Sequence, residues 1–256
     1  MATRHDLTQA FATLLQPERF TDYGPNGLQV EGKAEVKKIV SGVTASRALI
    51  EAAIEAQADA IFVHHGLFWH GQDGRVTGWM KQRLALLLQQ DINLFAYHLP
   101  LDAHPELGNN AQLGVMLGLQ AFEGAAGRFG EQGLGFLGAR LDGRSFAKAA
   151  SLANHVERVL KRPVGLVDVA DKAIKKIAWC TGGAQSYFES AIAAGADAFI
   201  TGEISEPQAH YARECDVAYL ACGHHASERY GAPAVAGHVA QQFGLEHEFI
   251  DIDNPA

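Results

Sequence analysis

Residues 59–66 read Asp59-Ala60-Ile61-Phe62-Val63-His64-His65-Gly66. The apolar run 60–63, with an acid before it and a glycine just beyond two histidines, predicts a short buried strand that ends at the histidine pair. Upstream, the β-branched run 36–40 predicts a second strand. Thr44-Ala45-Ser46 then opens a helix to about residue 57 with Leu49, Ala53 and Ile54 on its inner face. Strand, helix and strand in about 28 residues make a βαβ unit with parallel strands. The exits of such strands are where open α/β sheets bind ligands, and His64 and His65 are expected just past the last ladder bond.

The unit occurs twice. Residues 37–65 align without a gap to 175–203, and ten of these 29 positions are identical: Lys37, Lys38, Ile39, Glu51, Ala53, Ile54, Ala56, Ala58, Asp59 and Ala60 each recur 138 residues later. This is an internal repeat. The second copy ends Thr201-Gly202-Glu203 where the first ends Val63-His64-His65, so the histidines are not a requirement of the scaffold. Further on, Asp91 to His98 resembles Asp216 to His224 with one residue inserted. His98 stands four residues before Asp102, and His224 four before Glu228.

The remaining chain reads as α/β throughout. A helix is expected over 6–16, capped by Asp6 or Thr8. Turns are expected in Tyr23-Gly24-Pro25-Asn26-Gly27. Further helices are expected over 79–90 (with Leu84–Leu88 as core face), 109–117, 145–160 and 232–243, with strands near 91–97 and 246–252. Pro100 argues against a helix between His98 and Asp102, which places both on a strand exit and loop. A glycine-rich stretch sets a boundary near 122, giving domains 1–122 and 123–256. Gly133 to Gly138 spells G-x-G-x-x-G without a preceding strand, so it is read as a strand and not as a dinucleotide loop.

Composition excludes several classes. The net charge of −8 disfavours nucleic-acid and anionic-membrane binding, and no apolar run is long enough to span a membrane. The first residues lack the apolar segment of a signal peptide, so a cytoplasmic location is expected. Three cysteines without C-x-x-C spacing are expected to be packed thiols, not a disulfide framework or zinc ribbon. His5, His155, His238 and His247 are expected to be solvated. His70 and His104 stand near the cluster and are candidates for substrate contact.

His64, His65, His98, Asp102, His224 and Glu228 are too many donors for one tetrahedral zinc but suit two ions. Imidazole with carboxylate favours Zn, Fe, Mn or Ni over Ca or Mg. Two such ions acidify water and clamp an attacking and a leaving oxygen, which is the chemistry of hydrolysis. Glu203, leaving the second copy's strand, and His98 are candidate proton carriers; a capping or surface role is the other reading of Glu203.

At His64-His65-Gly66, His98-Leu99-Pro100-Leu101-Asp102 and Gly223-His224-His225-Ala226-Ser227-Glu228, the sequence resembles the NIF-three-like family, whose bacterial short forms are named as GTP cyclohydrolase I type 2 homologues. Tyr23-Gly24-Pro25-Asn26-Gly27-Leu28-Gln29, Gly108-Asn109-Asn110 and the ending Phe249-Ile250-Asp251-Ile252-Asp253-Asn254-Pro255-Ala256 carry the likeness across the whole chain. The resemblance implies two related α/β domains with internal pseudo-symmetry, a dinuclear metal centre and a toroidal homohexamer. The implied ligands are His64, His65, Asp102, His224 and Glu228. His98 matches a family histidine either as a ligand or as the group behind one. The implied partner is a small molecule, a purine nucleotide such as GTP or a damaged nucleotide, hydrolysed by a metal-activated hydroxide. The competing expectation is a non-enzymatic metal-binding or regulatory interaction protein.

Overall fold

The computed structural model describes residues 1–256. Its contacts divide the chain into two compact units, Met1–Gly108 with Arg229–Asp253, and Asn109–Glu228 with Asn254–Ala256. The first break falls after Gly108 and not near 122. The reason is local: Trp179 Nε1 donates to the Asn110 carbonyl, and Asn110 Oδ1 accepts from the Thr181 amide, so the helix Asn109–Leu117 belongs to the later strands. The helix Gly231–Phe243 and strand Glu246–Phe249, read from sequence as the end of the second domain, return to the first unit.

In the first unit five strands lie in the order Glu246–Phe249, Lys38–Thr44, Ala60–His65, Asn93–Ala96 and Gly27–Val30. All neighbours are parallel except Gly27–Val30, which runs antiparallel to Asn93–Ala96. One sheet face packs Phe62, Phe95 and Tyr97 against Phe11 and Val235 of the helices Arg4–Leu15 and Gly231–Phe243. The other packs Val40, Ile61 and Leu94 against Leu49, Ile50 and Leu87 of the helices Arg47–Glu55 and Gly78–Gln89. Both faces are covered, which is why the central strands Ala60–His65 and Asn93–Ala96 are buried almost throughout.

Several expectations change in detail. Thr3, not Asp6 or Thr8, caps the first helix: its hydroxyl accepts from the Asp6 amide while the Asp6 carboxylate accepts from the Thr3 amide, a reciprocal capping box. On Gly78–Gln89 the buried residues are Met80 and Leu87, and Leu88 is exposed. His247 is half-buried against the Ser41 hydroxyl at 2.8 Å, and His155 meets the Leu117 carbonyl at 2.9 Å, so neither is simply solvated. Cys180 and Cys222 are packed, but Cys215 is exposed. Burial pushes the Cys222 thiol up to about 12.

The second unit carries a sheet in the order Gly165–Val167, Ala218–Ala221, Ala198–Thr201, Ile177–Trp179, Gly135–Arg140 and Leu119–Ala121, with Arg128–Phe129 also on Gly135–Arg140. Its repeat strands Ile177–Trp179 and Ala198–Thr201 are parallel, like Lys38–Thr44 and Ala60–His65. Phe188 of the intervening helix Phe188–Ala193 stacks on Phe199 at 5.7 Å. In the G-x-G-x-x-G segment Gly133 ends a short 3-10 turn and Gly135 to Gly138 lie in strand Gly135–Arg140, antiparallel to Ile177–Trp179, with no helix opening behind it.

Candidate metal centre

The strand Ala60–His65 keeps pairing to its end: His65 stands opposite Thr44 in the ladder. The histidines are therefore its last two residues and not beyond it, so pleat alternation still separates them. His64 is fully buried and His65 partly exposed, yet their rings lie 4.4 Å apart.

His98 and Asp102 also differ from expectation. The segment Leu99–Ala103 is a short helix with His98 as N-cap, and the Asp102 amide donates to the His98 carbonyl at 3.2 Å. The pair is one helical turn apart after all. Pro100 sits within the first two helical positions, where a missing N–H costs nothing. His224–Ser227 is likewise a short helix closed by Glu228.

In the first unit, ligand atoms of His64, His65 and His98 lie within 4.8 Å of one another. His64 Nδ1 meets the Tyr97 carbonyl at 3.1 Å, so Nδ1 carries the proton, and Nε2 faces Asp102 Oδ1 at 3.6 Å. His65 Nδ1 meets the Thr44 hydroxyl at 3.1 Å. In the second unit, His224 Nδ1 meets Glu203 Oε1 at 2.6 Å and Nε2 faces Glu228 Oε2 at 3.3 Å. Each unit thus has an imidazole whose outer nitrogen is already held and whose inner nitrogen faces a buried carboxylate. Metal-ligating histidines are held in this manner.

Glycine keeps room around the second pair. A Cβ on Gly182 would overlap Glu228 Oε1 and lie 3.2 Å from His224 Nε2. Gly202 aligns with His64, and a Cβ there would come within 2.6 Å of both the Gly182 carbonyl and the His224 Cα. The second copy therefore cannot carry a histidine at that position. The donor chemistry fits a divalent transition metal in both places.

The electrostatics follow. Hydrogen bonding to Glu228 raises His224 to about 9 against the opposing effect of burial, with the charges of Glu228 and Glu203 adding to it. Glu203 thus holds His224 from behind.

Sequence reasoning missed Asp22. Its side chain is almost fully buried. Its Oδ1 meets His98 Nδ1 at 2.6 Å, and its carboxylate accepts from the amides of Tyr23 and Leu99 and from Asn26 Nδ2. Burial alone would raise its pKa, but the hydrogen bonds from His98, Asn26 and Leu99, with the charge of His98, hold it below the usual carboxylate range. The Asp-x-Gly-Pro-Asn-Gly turn was the available signal, since Asp and Asn at turns bond nearby backbone. His104, by contrast, spends Nδ1 on the amides of Glu106 and Leu107, which closes a turn. His70 is exposed. Glu206 pairs with His210 on the surface of its helix.

The fold and these donors define an α/β protein with imidazole–carboxylate sets able to hold metal. The chain belongs to the Duf34/NIF3 (NGG1p interacting factor 3) family, whose model matches residues 2–255. A relative from Pseudomonas aeruginosa named GTP cyclohydrolase 1 type 2 homolog is 50% identical over 242 residues, 94% of each chain. One of the same name from Neisseria meningitidis is 48% identical over the full length of both. A solved structure described as protein ybgI, of unknown function, is similar at a TM-score of 0.93, with 44% identity over 99% of this chain and 100% of that one. One from Thermus thermophilus is similar at 0.85 with 30% identity, over 99% and 100%. No helix is long and apolar enough to cross a membrane.

Proposed function

We propose that the protein is a dinuclear, divalent-metal-dependent hydrolase acting on a purine nucleotide, GTP or a damaged nucleotide, as the names of its relatives suggest. His64, His65 and Asp102 with His224 and Glu228 would hold the two ions. Divalent ions bound there supply Lewis acidity, acidifying water and polarising the bond to be broken. The observation that carries the reading is the shared donor pattern of His64 with Asp102 and His224 with Glu228, each imidazole anchored through Nδ1.

The chain's own residues do the remaining work. Tyr97, Thr44 and Glu203 fix the orientation of His64, His65 and His224 through Nδ1. Asp22 holds the Nδ1 proton of His98, which leaves Nε2 of His98 to take up and release a proton. Zinc-, iron- or manganese-loaded protein incubated with GTP and oxidised purine nucleotides tests the reading. Turnover that falls at least tenfold in His98→Gln while metal content is kept supports it. Metal-loaded protein inert toward all of these nucleotides contradicts it. The toroidal homohexamer belongs to the same proposal, and light scattering of the purified chain tests it.

A further inference from the structure

We infer that Tyr23 and Trp69 form a stacking platform for a flat nitrogen heterocycle, the base of a purine nucleotide, beside the histidine cluster; the inference rests on the hydrolytic reading of that cluster. The Trp69 ring stands edge-on to His98, 5.1 Å away at 88°, and lies 6.0 Å from His65. The Tyr23 ring is 6.0 Å from His98 at 63°. Tyr23 is 65% exposed and Trp69 partly so. Neither ring contributes to the two apolar cores of its unit. Large aromatic surfaces kept in water beside three clustered imidazoles are suited to recognition, because each ring offers contact area at small entropic cost.

The backbone that carries the rings is held in place beforehand. The His70 amide donates to the Tyr23 carbonyl at 2.6 Å, and the Trp69 amide to Gln72 Oε1 at 3.2 Å. Gly24 lies so close to the Phe68 carbonyl that a Cβ would overlap it. The two loops are thereby joined, and little backbone freedom remains to be lost on binding.

The polar side chains on the same two loops and beside His98 point to a base and not to a sugar. Gln29 bonds the Pro25 carbonyl and the Leu67 amide. Asn26 bonds Asp22 and the His98 amide. Asp22 is taken by His98 and backbone. Sugar hydroxyls need such groups uncommitted, whereas a stacked base needs only the aromatic face. The crevice lined by Gly24, Gln29, His64, Phe68, Trp69 and His98 has a volume of about 10 Å³, room for one water. A bicyclic ring therefore lies across the exposed rings and not within the crevice.

The test uses zinc-loaded full-length chain with Trp79→Phe, which leaves Trp69 and the buried Trp179 as fluorophores. Zinc content is read first. Guanosine 5′-monophosphate should quench the fluorescence saturably, and ribose 5-phosphate should not. By calorimetry, Trp69→Ala should bind the nucleotide about 5- to 150-fold more weakly, the range of base–aromatic stacking. Trp69→Phe should retain most of the affinity and Tyr23→Ala should lose less than Trp69→Ala, with zinc content unchanged throughout. Equal affinity in wild type and Trp69→Ala, equal binding of ribose 5-phosphate, or no nucleotide binding by the zinc-loaded chain would overturn the inference and leave the metal centre standing. Failure of the wild type to take up zinc, iron or manganese would overturn both; where iron or manganese is taken up in place of zinc, the same comparison is made on that form.

Discussion

Asp22 accepts four hydrogen bonds beside the candidate centre. Asp22→Ala leaves His98 Nδ1, two backbone amides and Asn26 Nδ2 without their shared acceptor. Each buried donor left unmade costs on the order of 1–3 kcal/mol, and water recovers part of that. A loss of about 2–4 kcal/mol is therefore expected from urea unfolding, with Asp22→Asn costing less because its carbonyl still accepts. A loss below about 0.5 kcal/mol, the scale of an ordinary surface change, would contradict this role. His224 gives a pH prediction for metal-stripped protein. Its pKa is raised from 6.5 to about 9, so its contribution to stability is complete below 6.5 and is lost as pH rises through about 9. The melting temperature of wild type relative to His224→Gln should fall across that interval, and a constant difference would contradict the His224–Glu228 pairing. Metal taken up by His224 must displace this proton, so loading near neutral pH should release acid.

At the scale of elements, the repeated sequence has a repeated hydrogen-bond scheme. Asp59 Oδ2 accepts from the amides of Lys37 and Lys38, and Asp197 Oδ2 from those of Lys175 and Lys176. In each copy the acid before the second strand ties down the entry of the first. Asp59→Ala and Asp197→Ala should therefore destabilise by similar amounts, about 1–2 kcal/mol each, in chemical denaturation; a large effect of one and none of the other would contradict their equivalence. The strands of the βαβ units were legible because burial on both sheet faces leaves apolar runs, and the helix Gly231–Phe243 because its buried residues recur at helical spacing. The short helices at Leu99–Ala103 and His224–Ser227 were not legible. Each is about one turn, too brief to show periodicity, and Pro100 argues against a helix unless it is recognised as part of the first turn. The ligand candidates were legible as imidazole–carboxylate spacings. Their supports were not: the Tyr97 carbonyl carries no side-chain signal, and Thr44 and Asp22 meet their histidines only through the fold.

For the whole molecule, the sequence boundary near 122 followed a change in composition, whereas the compact units follow which residues pack together. A segment such as Gly231–Phe243 returns to the first sheet through contacts far apart in sequence, which local patterning does not record. The most direct measurement of the central claim is metal content per chain by elemental analysis of gently purified protein, beside Asp102→Ala and Glu228→Gln. Two equivalents of a divalent transition metal in wild type, with at least one lost in each variant, are expected. No metal in wild type, even after reconstitution with zinc, iron or manganese, would contradict the claim and leave only the fold and the family.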